Sequence, residues 1–178
     1  MKINTMVTLA LVMVVGAAAQ TLQPVDNKST VKFEIKNFGV NTGGDFKGLQ
    51  GTITWDVTAP EKSVFDISID AATVNTGIDS RDNHLRKAEY FDAEKYPKIV
   101  FKSDKITQSG NSFTAYGKLS IKGTTKDISI PFTATAKDGG YLFEGNFHIN
   151  RKDYKIGGNS MVLGDNVTIS LSVFAESK

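Results

Sequence analysis

Apolar and polar side chains alternate along most of this chain from residue 31 to residue 173. A two-residue period puts all the apolar side chains of a segment on one face of a pleated strand. Such a chain must therefore fold as sheet with one face buried. Val31, Phe33 and Ile35 alternate with Lys32, Glu34 and Lys36. Leu49, Gly51, Ile53, Trp55 and Val57 repeat the pattern, and Phe65, Ile67 and Ile69 alternate with Asp66, Ser68 and Asp70. Ile99 and Phe101 sit between lysines, and Phe113, Ala115, Gly117, Leu119 and Ile121 form another set. Ile128, Ile130, Phe132 and Ala134 follow, then Tyr141, Phe143, Gly145, Phe147 and Ile149, and last Val167, Ile169, Leu171 and Val173. Eight strands are predicted, mostly antiparallel neighbours with short connections. Lys122-Gly123-Thr124 and Asp138-Gly139-Gly140 carry the residue types of tight hairpin turns.

One segment breaks the period. Ser80 to Tyr90 is rich in helix formers, with Asp79 or Ser80 as the N-cap. Leu85 and Ala88 are expected to point inwards with Phe91, and Asp92 to Pro97 to form a loop. An all-β chain of eight antiparallel strands and one short helix forms either a sandwich or a closed barrel. A barrel of about eight strands is filled by side chains or holds one small ligand.

The N-terminus belongs to a different class of sequence. Lys2, an apolar run from Met6 to Val15 and the small-residue pattern Ala17-Ala18-Ala19 read as a secretory leader, cleaved after Ala19. Two units are expected: a leader over 1–19 and one domain over 20–178. Residence is then periplasmic or secreted. The chain holds no Cys, so disulfides, thiol nucleophiles, cysteine-ligated metals and a lipid anchor on cysteine are excluded. A net charge of +2 gives no reason to expect nucleic acid as a partner.

Catalytic signals are sparse. The two histidines, His84 and His148, are far apart, and no H-E-x-x-H occurs. Ser80 and His84 fit one helix face, but Asp82 then points elsewhere, and no G-x-S-x-G elbow is present. Phosphate-binding glycine loops are absent from the sequence. No metal site and no resident cofactor are expected. The plausible polar set is Arg81, Asp82, His84, Asp92, Asn150, Arg151 and Asp153, at the rim of the barrel or in structural roles. Arg151 continues the inward parity of Phe147 and Ile149, so its guanidinium needs a carboxylate or carbonyl partner. Asp82, Asp92 and Asp153 are the candidate acids. A structural ion pair is favoured over contact with a ligand head group.

These segments, in their order, resemble the YceI-like family of exported lipid-binding proteins. The resemblance rests on Arg81-Asp82-Asn83-His84-Leu85-Arg86, Tyr90-Phe91-Asp92, Tyr96-Pro97 and Ile99-Val100-Phe101-Lys102-Ser103. Gly117 to Lys126, Phe147 to Tyr154, and Ile156-Gly157 fit as well. Ser29, Val31 and Phe33 match the family's S-x-V-x-F pattern, whereas the family often has His where this chain has Asn37.

The resemblance implies a lipocalin-like antiparallel barrel around a long apolar tunnel. The expected ligand is a polyisoprenoid, quinone-like or fatty-acid-type lipid, bound without chemistry and carried or stored. The tunnel candidates of the N-terminal half are Phe33, Ile35, Phe38, Trp55, Phe65, Ile67, Ile69, Leu85, Phe91 and Phe101. Those of the C-terminal half are Phe113, Leu119, Ile130, Phe132, Phe143, Phe147, Ile149, Ile169 and Leu171. Two alternatives are an enzyme using Asp82, His84, Arg151 and Asp153 on a lipid, and a ligand-free stress or interaction module with a solid core. No motif sets the oligomeric state, and a homodimer stays open.

Overall fold

A computed structural model describes residues 19–177. The leader expected over 1–19 lies outside the described residues except for Ala19. All eight alternating segments are strands, and two further strands join them. The strands are β1 (Gln20–Pro24), β2 (Thr30–Asn37), β3 (Val40–Phe46), β4 (Gln50–Trp55), β5 (Val64–Asp70), β6 (Lys98–Ser109), β7 (Ser112–Ile121), β8 (Thr124–Lys137), β9 (Gly140–Asn150) and β10 (Leu163–Glu176).

Every pairing is antiparallel. Strands β4 to β10 follow one another in order, apart from the β2–β3 hairpin on the far edge of β10. The short β1 pairs with both β4 and β10 and closes an eight-stranded barrel. Closure leaves few unpaired edges, the usual hazard of an all-β chain.

The break between β1 and β2 is pinned at the seam. A turn at Asp26–Lys28 interrupts the strand, and Asp26 Oδ1 accepts from Leu49 N at 2.8 Å. Ser29 is buried; its hydroxyl donates to Val25 O at 2.7 Å and accepts from Phe174 N at 3.0 Å. The Ser of the S-x-V-x-F pattern thus satisfies backbone groups where the ladder is interrupted.

Strand parity follows the alternation. Ile67 faces Phe101 across the ladder and Ile69 faces Ile99; Ile169 lies between Phe33 and Phe147. Asp66 and Lys102 pair on the outer face at 3.0 Å. The hairpin turns Lys122-Gly123 and Asp138-Gly139 both have positive φ at their two central residues, the signature of a type I′ turn.

The helix is shorter than its composition predicts. It is α1 (Asp79–Leu85), and its N-cap is Ile78, not Asp79 or Ser80, with no side-chain cap. The acid that matters is Asp82, buried and accepting from Thr76 N at 2.8 Å and from the Thr76 hydroxyl. After Leu85 the chain turns back, because the amide of Phe91 bonds to Leu85 O and Arg86 donates to the carbonyls of Ala72 and Val74. Ala88 consequently faces solvent, not the interior.

Candidate functional site

The two ends of the barrel are packed differently. At the end carrying the β4–β5, β6–β7 and β8–β9 connections, Trp55 forms edge contacts with Phe113, Phe132, Tyr141 and Phe143. Phe65 packs on Phe132 and Phe143, and Phe113 stacks on Phe132. Trp55 is 1% exposed and Phe113 and Phe143 are 5%. Large rings at facing positions fill the lumen to close packing, so this end is solid.

Towards the other end the inward residues are mainly Ile, Leu and Val, and they leave a cavity of about 370 Å³. This lies within the range of small-ligand sites, roughly 300–1,000 Å³. Phe33, Ile35, Ile67, Ile99, Ile149, Ile169 and Leu171 point inwards yet remain only half-buried, because their inner faces meet the cavity. Leu85 and Phe91, from α1 and the loop after it, lie over the mouth.

Many of the sequence candidates line this cavity: Phe33, Ile35, Ile67, Ile69, Leu85, Phe91, Phe101, Leu119, Ile130, Phe147, Ile149, Ile169 and Leu171. Six do not. Trp55, Phe65, Phe113, Phe132 and Phe143 form the solid aromatic end. Phe38 stands 75% exposed at the tip of the β2–β3 hairpin, where the chain reverses and inward parity ends. The lining also includes residues that parity alone leaves out. Phe46, Tyr90 and Ile156 come from segments without regular alternation, and Asn37, Thr42 and Thr76 from the rim.

Of the polar candidates, Arg81, His84 and Arg151 line the cavity, each with partners of its own. His84 lies at the mouth, 3.9 Å from the Glu89 carboxylate and with its ring 4.9 Å from that of Tyr90. Arg81 also reaches the cavity while donating to the Thr76 hydroxyl at 2.7 Å and to Thr76 O at 2.9 Å. Asp82 is taken up by Thr76, Asp92 is a positive-φ turn residue, and Asp153 is exposed. Asn150 caps the turn at Arg151–Tyr154 by accepting from Lys152 N at 2.9 Å.

Arg151 is 2% exposed and is spent on its own loop. Its donors reach the carbonyls of Gly164 at 2.8 Å, Ile156 and Gly158 at 2.9 Å each, Leu163 at 3.3 Å, and Gly157. The acid it meets is Asp165, at 2.9 Å, and not Asp82, Asp92 or Asp153. The 155–164 loop doubles back from β9 to β10 and delivers Asp165 to the guanidinium. Lys152 Nζ lies 2.8 Å from the other Asp165 oxygen. That hydrogen bond, with the charges of Lys152 and Arg151, holds the Asp165 carboxyl below the usual carboxylate range. Among the described residues, no group of three or more His, Cys, Asp or Glu is placed to hold a metal ion.

A closed antiparallel barrel, solid at one end and hollow and apolar at the other, defines a lipocalin-like fold with an internal cavity. The sequence pattern of the YceI-like domain matches residues 21–175. The chain belongs to the YceI-like family. A UPF0312 protein of Yersinia enterocolitica is 28% identical over 92% of this chain and 91% of its own length. Crystal structures agree. Burkholderia cenocepacia BcnA has 26% identity and a TM-score of 0.80, over 83% of this chain and 96% of that one. A Campylobacter jejuni YceI protein has 32% identity and a TM-score of 0.70, over 78% and 86%. A Saccharophagus degradans domain, described as a polyisoprenoid binding domain, shares the fold at 17% identity, with a TM-score of 0.71 over 88% of this chain and 98% of that one.

Proposed function

We propose that the protein binds a long apolar chain, such as an isoprenoid, quinone-like or fatty-acid-type lipid, non-covalently in the hollow end of its barrel. The observation that carries this is the row of inward Ile, Leu and Phe side chains left half-buried around a 370 Å³ space, beside an end of the same barrel packed solid. The polyisoprenoid-binding neighbour, of the same fold, supports the reading. The driving force is burial: each CH₂ taken from water contributes roughly 0.8 kcal/mol, offset by the cost of association. The polar end of the chain lies near Arg81, His84 and Tyr90, which border the mouth. An apolar wall discriminates weakly, by about 1–3 kcal/mol per methylene, so the barrel accepts a class of chains more than a single one.

The leader pattern over residues 1–19 supports a periplasmic or extracellular space as the place where the chain would be carried or stored. An enzyme is the weaker reading, because Asp82, His84, Arg151 and Asp153 are committed to separate partners or to solvent. Native mass spectrometry of protein purified from its own host tests the proposal. A co-purifying lipid of one-to-one stoichiometry supports it. A protein that emerges empty and takes up no lipid afterwards contradicts it, and chemical turnover of the lipid would favour the enzyme.

A further inference from the structure

Three segments border the mouth of the cavity: 37–44 at the β2–β3 hairpin, 71–78 before α1, and 156–164 between β9 and β10. They are joined to one another. Phe38 N donates to Val162 O at 2.9 Å, Asn37 pairs with Leu163, and Asn75 bridges to Asp45 at the end of β3. Asn37, Thr42, Thr76 and Leu163 all line the cavity.

None of the three segments contains an Asp, Glu, Lys or Arg, in a chain where 22% of residues are charged. They also hold most of the exposed large apolar side chains. Of the eight among the described residues, five lie here: Phe38 (75%), Val40, Ile78, Met161 (104%) and Val162. These three segments of the rim therefore carry exposed apolar side chains and no charge, whereas α1 brings Arg81 and His84 to the mouth beside them.

Phe38 adds an independent observation. Phe38 and Gly39 have φ of 51° and 77°, again the type I′ pattern. The first place of such a turn favours Asn, Asp or Gly, and the two matching turns of this barrel put Lys122 and Asp138 there. A bulky aromatic residue in the left-handed region is strained, and its ring here gains no burial in return. Strain retained without a packing gain points to a use for the exposed ring outside the folded chain.

We propose that this rim is a docking surface for a lipid bilayer, with Phe38 and Met161 as the side chains that enter it. This rests on the cavity-binding function proposed above. A bilayer is the occupant that fits: the ligand class resides in it, the patch borders the cavity, and the three segments that would enter it carry no charge. Apolar side chains on uncharged segments bind an interface by the area they bury, without a need for anionic lipid. Docking would let an apolar chain pass between bilayer and barrel without crossing water.

Flotation with vesicles of pure phosphatidylcholine tests the proposal, using wild type, Phe38→Asn and Tyr116→Ser. Asn suits the left-handed position, so Phe38→Asn should melt at the same or a higher temperature. It should nevertheless lower the vesicle partition coefficient about tenfold, as expected from loss of one buried aromatic side chain. Tyr116→Ser, on the barrel wall, should change nothing. Wild type that stays with the buffer, or Phe38→Asn that floats as well as wild type, overturns the docking surface. Light scattering gives the remaining test: a dimer that Phe38→Asn splits, with flotation unaltered, would make the patch a contact between copies and overturn it too. In parallel, a long-chain fluorescent probe is supplied in vesicle-free buffer. Equal uptake by wild type and Phe38→Asn without flotation removes the docking surface and leaves the cavity function standing. Phe38-dependent flotation without probe uptake upholds the surface and removes the cavity function.

Discussion

Arg151 and Asp165 meet at 2.9 Å, Nη2 to Oδ1, across a loop that leaves the barrel after β9 and returns to it as β10. The arginine is 2% exposed while the aspartate side chain is 37% exposed, so the pair is anchored at one end and wet at the other. Five loop carbonyls surround the same guanidinium. The result is a clasp on the 156–164 segment, which forms part of the cavity's mouth.

Arg151→Ala leaves those carbonyls without their donor and Asp165 with Lys152 alone. It should cost about 3–5 kcal/mol, the usual price of breaking a buried charged network. Arg151→Lys should recover only part of this, because a point ammonium cannot reach a planar fan of acceptors. Denaturant unfolding measures both. Unchanged stability with lost lipid binding would instead assign Arg151 to the ligand.

The lowered carboxyl of Asp165 gives this clasp an acid dependence. A group whose folded pKa lies below its unfolded value contributes stability above that unfolded value, near pH 4. The contribution is lost as pH falls through the lower, folded value. Asp56 acts in the same sense, its carboxylate accepting from the Thr58 hydroxyl at 2.7 Å and from Ala59 N at 2.9 Å. Unfolding followed from pH 6 downwards should therefore show a decline below pH 4. The decline should be shallower in Asp165→Asn; an identical profile would separate Asp165 from the acid response.

Tyr154 supplies the opposite, alkaline dependence. Its ring is 1% exposed, and its hydroxyl has no hydrogen-bond partner among the described residues. Burial, with the charge of Asp153, pushes its pKa up to about 12. The unfolded chain ionises first, near pH 10, so stability is full below pH 10 and declines between pH 10 and about 12. Tyr154→Phe should flatten that decline. At pH 7 it should be neutral or stabilising, because it removes a buried donor that bonds to nothing. A loss of more than about 1 kcal/mol at pH 7 would show that the hydroxyl has a partner.

The solid and hollow ends of the barrel should respond differently to truncation. Phe132→Ala opens a void in the aromatic cluster and should cost about 3–5 kcal/mol. Ile67→Ala enlarges a space that already exists and should cost about 2 kcal/mol or less. Its larger effect should be on affinity for a long-chain lipid. Equal costs at the two sites, measured by thermal melts, would mean that the lumen is filled throughout.

Alternation made the barrel wall legible before the structure, because parity at Phe33, Ile67 or Ile169 needs only the period of the strand. It left β1 and β3 unread. β1 is five residues with one buried apolar side chain, Leu22, and β3 runs Val-Asn-Thr-Gly-Gly-Asp-Phe, held by pairing with β2 and not by an apolar face. Parity also says in or out but not filled or empty. That difference depends on ring size: Trp55, Phe65, Phe113, Phe132, Tyr141 and Phe143 all flank connections at one end, a signal present in their spacing from the turns. The partner of Arg151 was not legible, since Asp165 reaches it only through the path of an irregular loop.

The central claim is that the hollow end receives an apolar chain. Titration of a long-chain fluorescent lipid into wild type and Ile67→Trp tests it most directly, because Ile67 faces the cavity and an indole there occupies ligand space without displacing packed atoms. The account predicts saturable one-to-one binding by wild type. It also predicts affinity at least about tenfold weaker in Ile67→Trp, with its melting temperature little changed. Wild type that binds no lipid, or Ile67→Trp that binds as tightly as wild type, would contradict it.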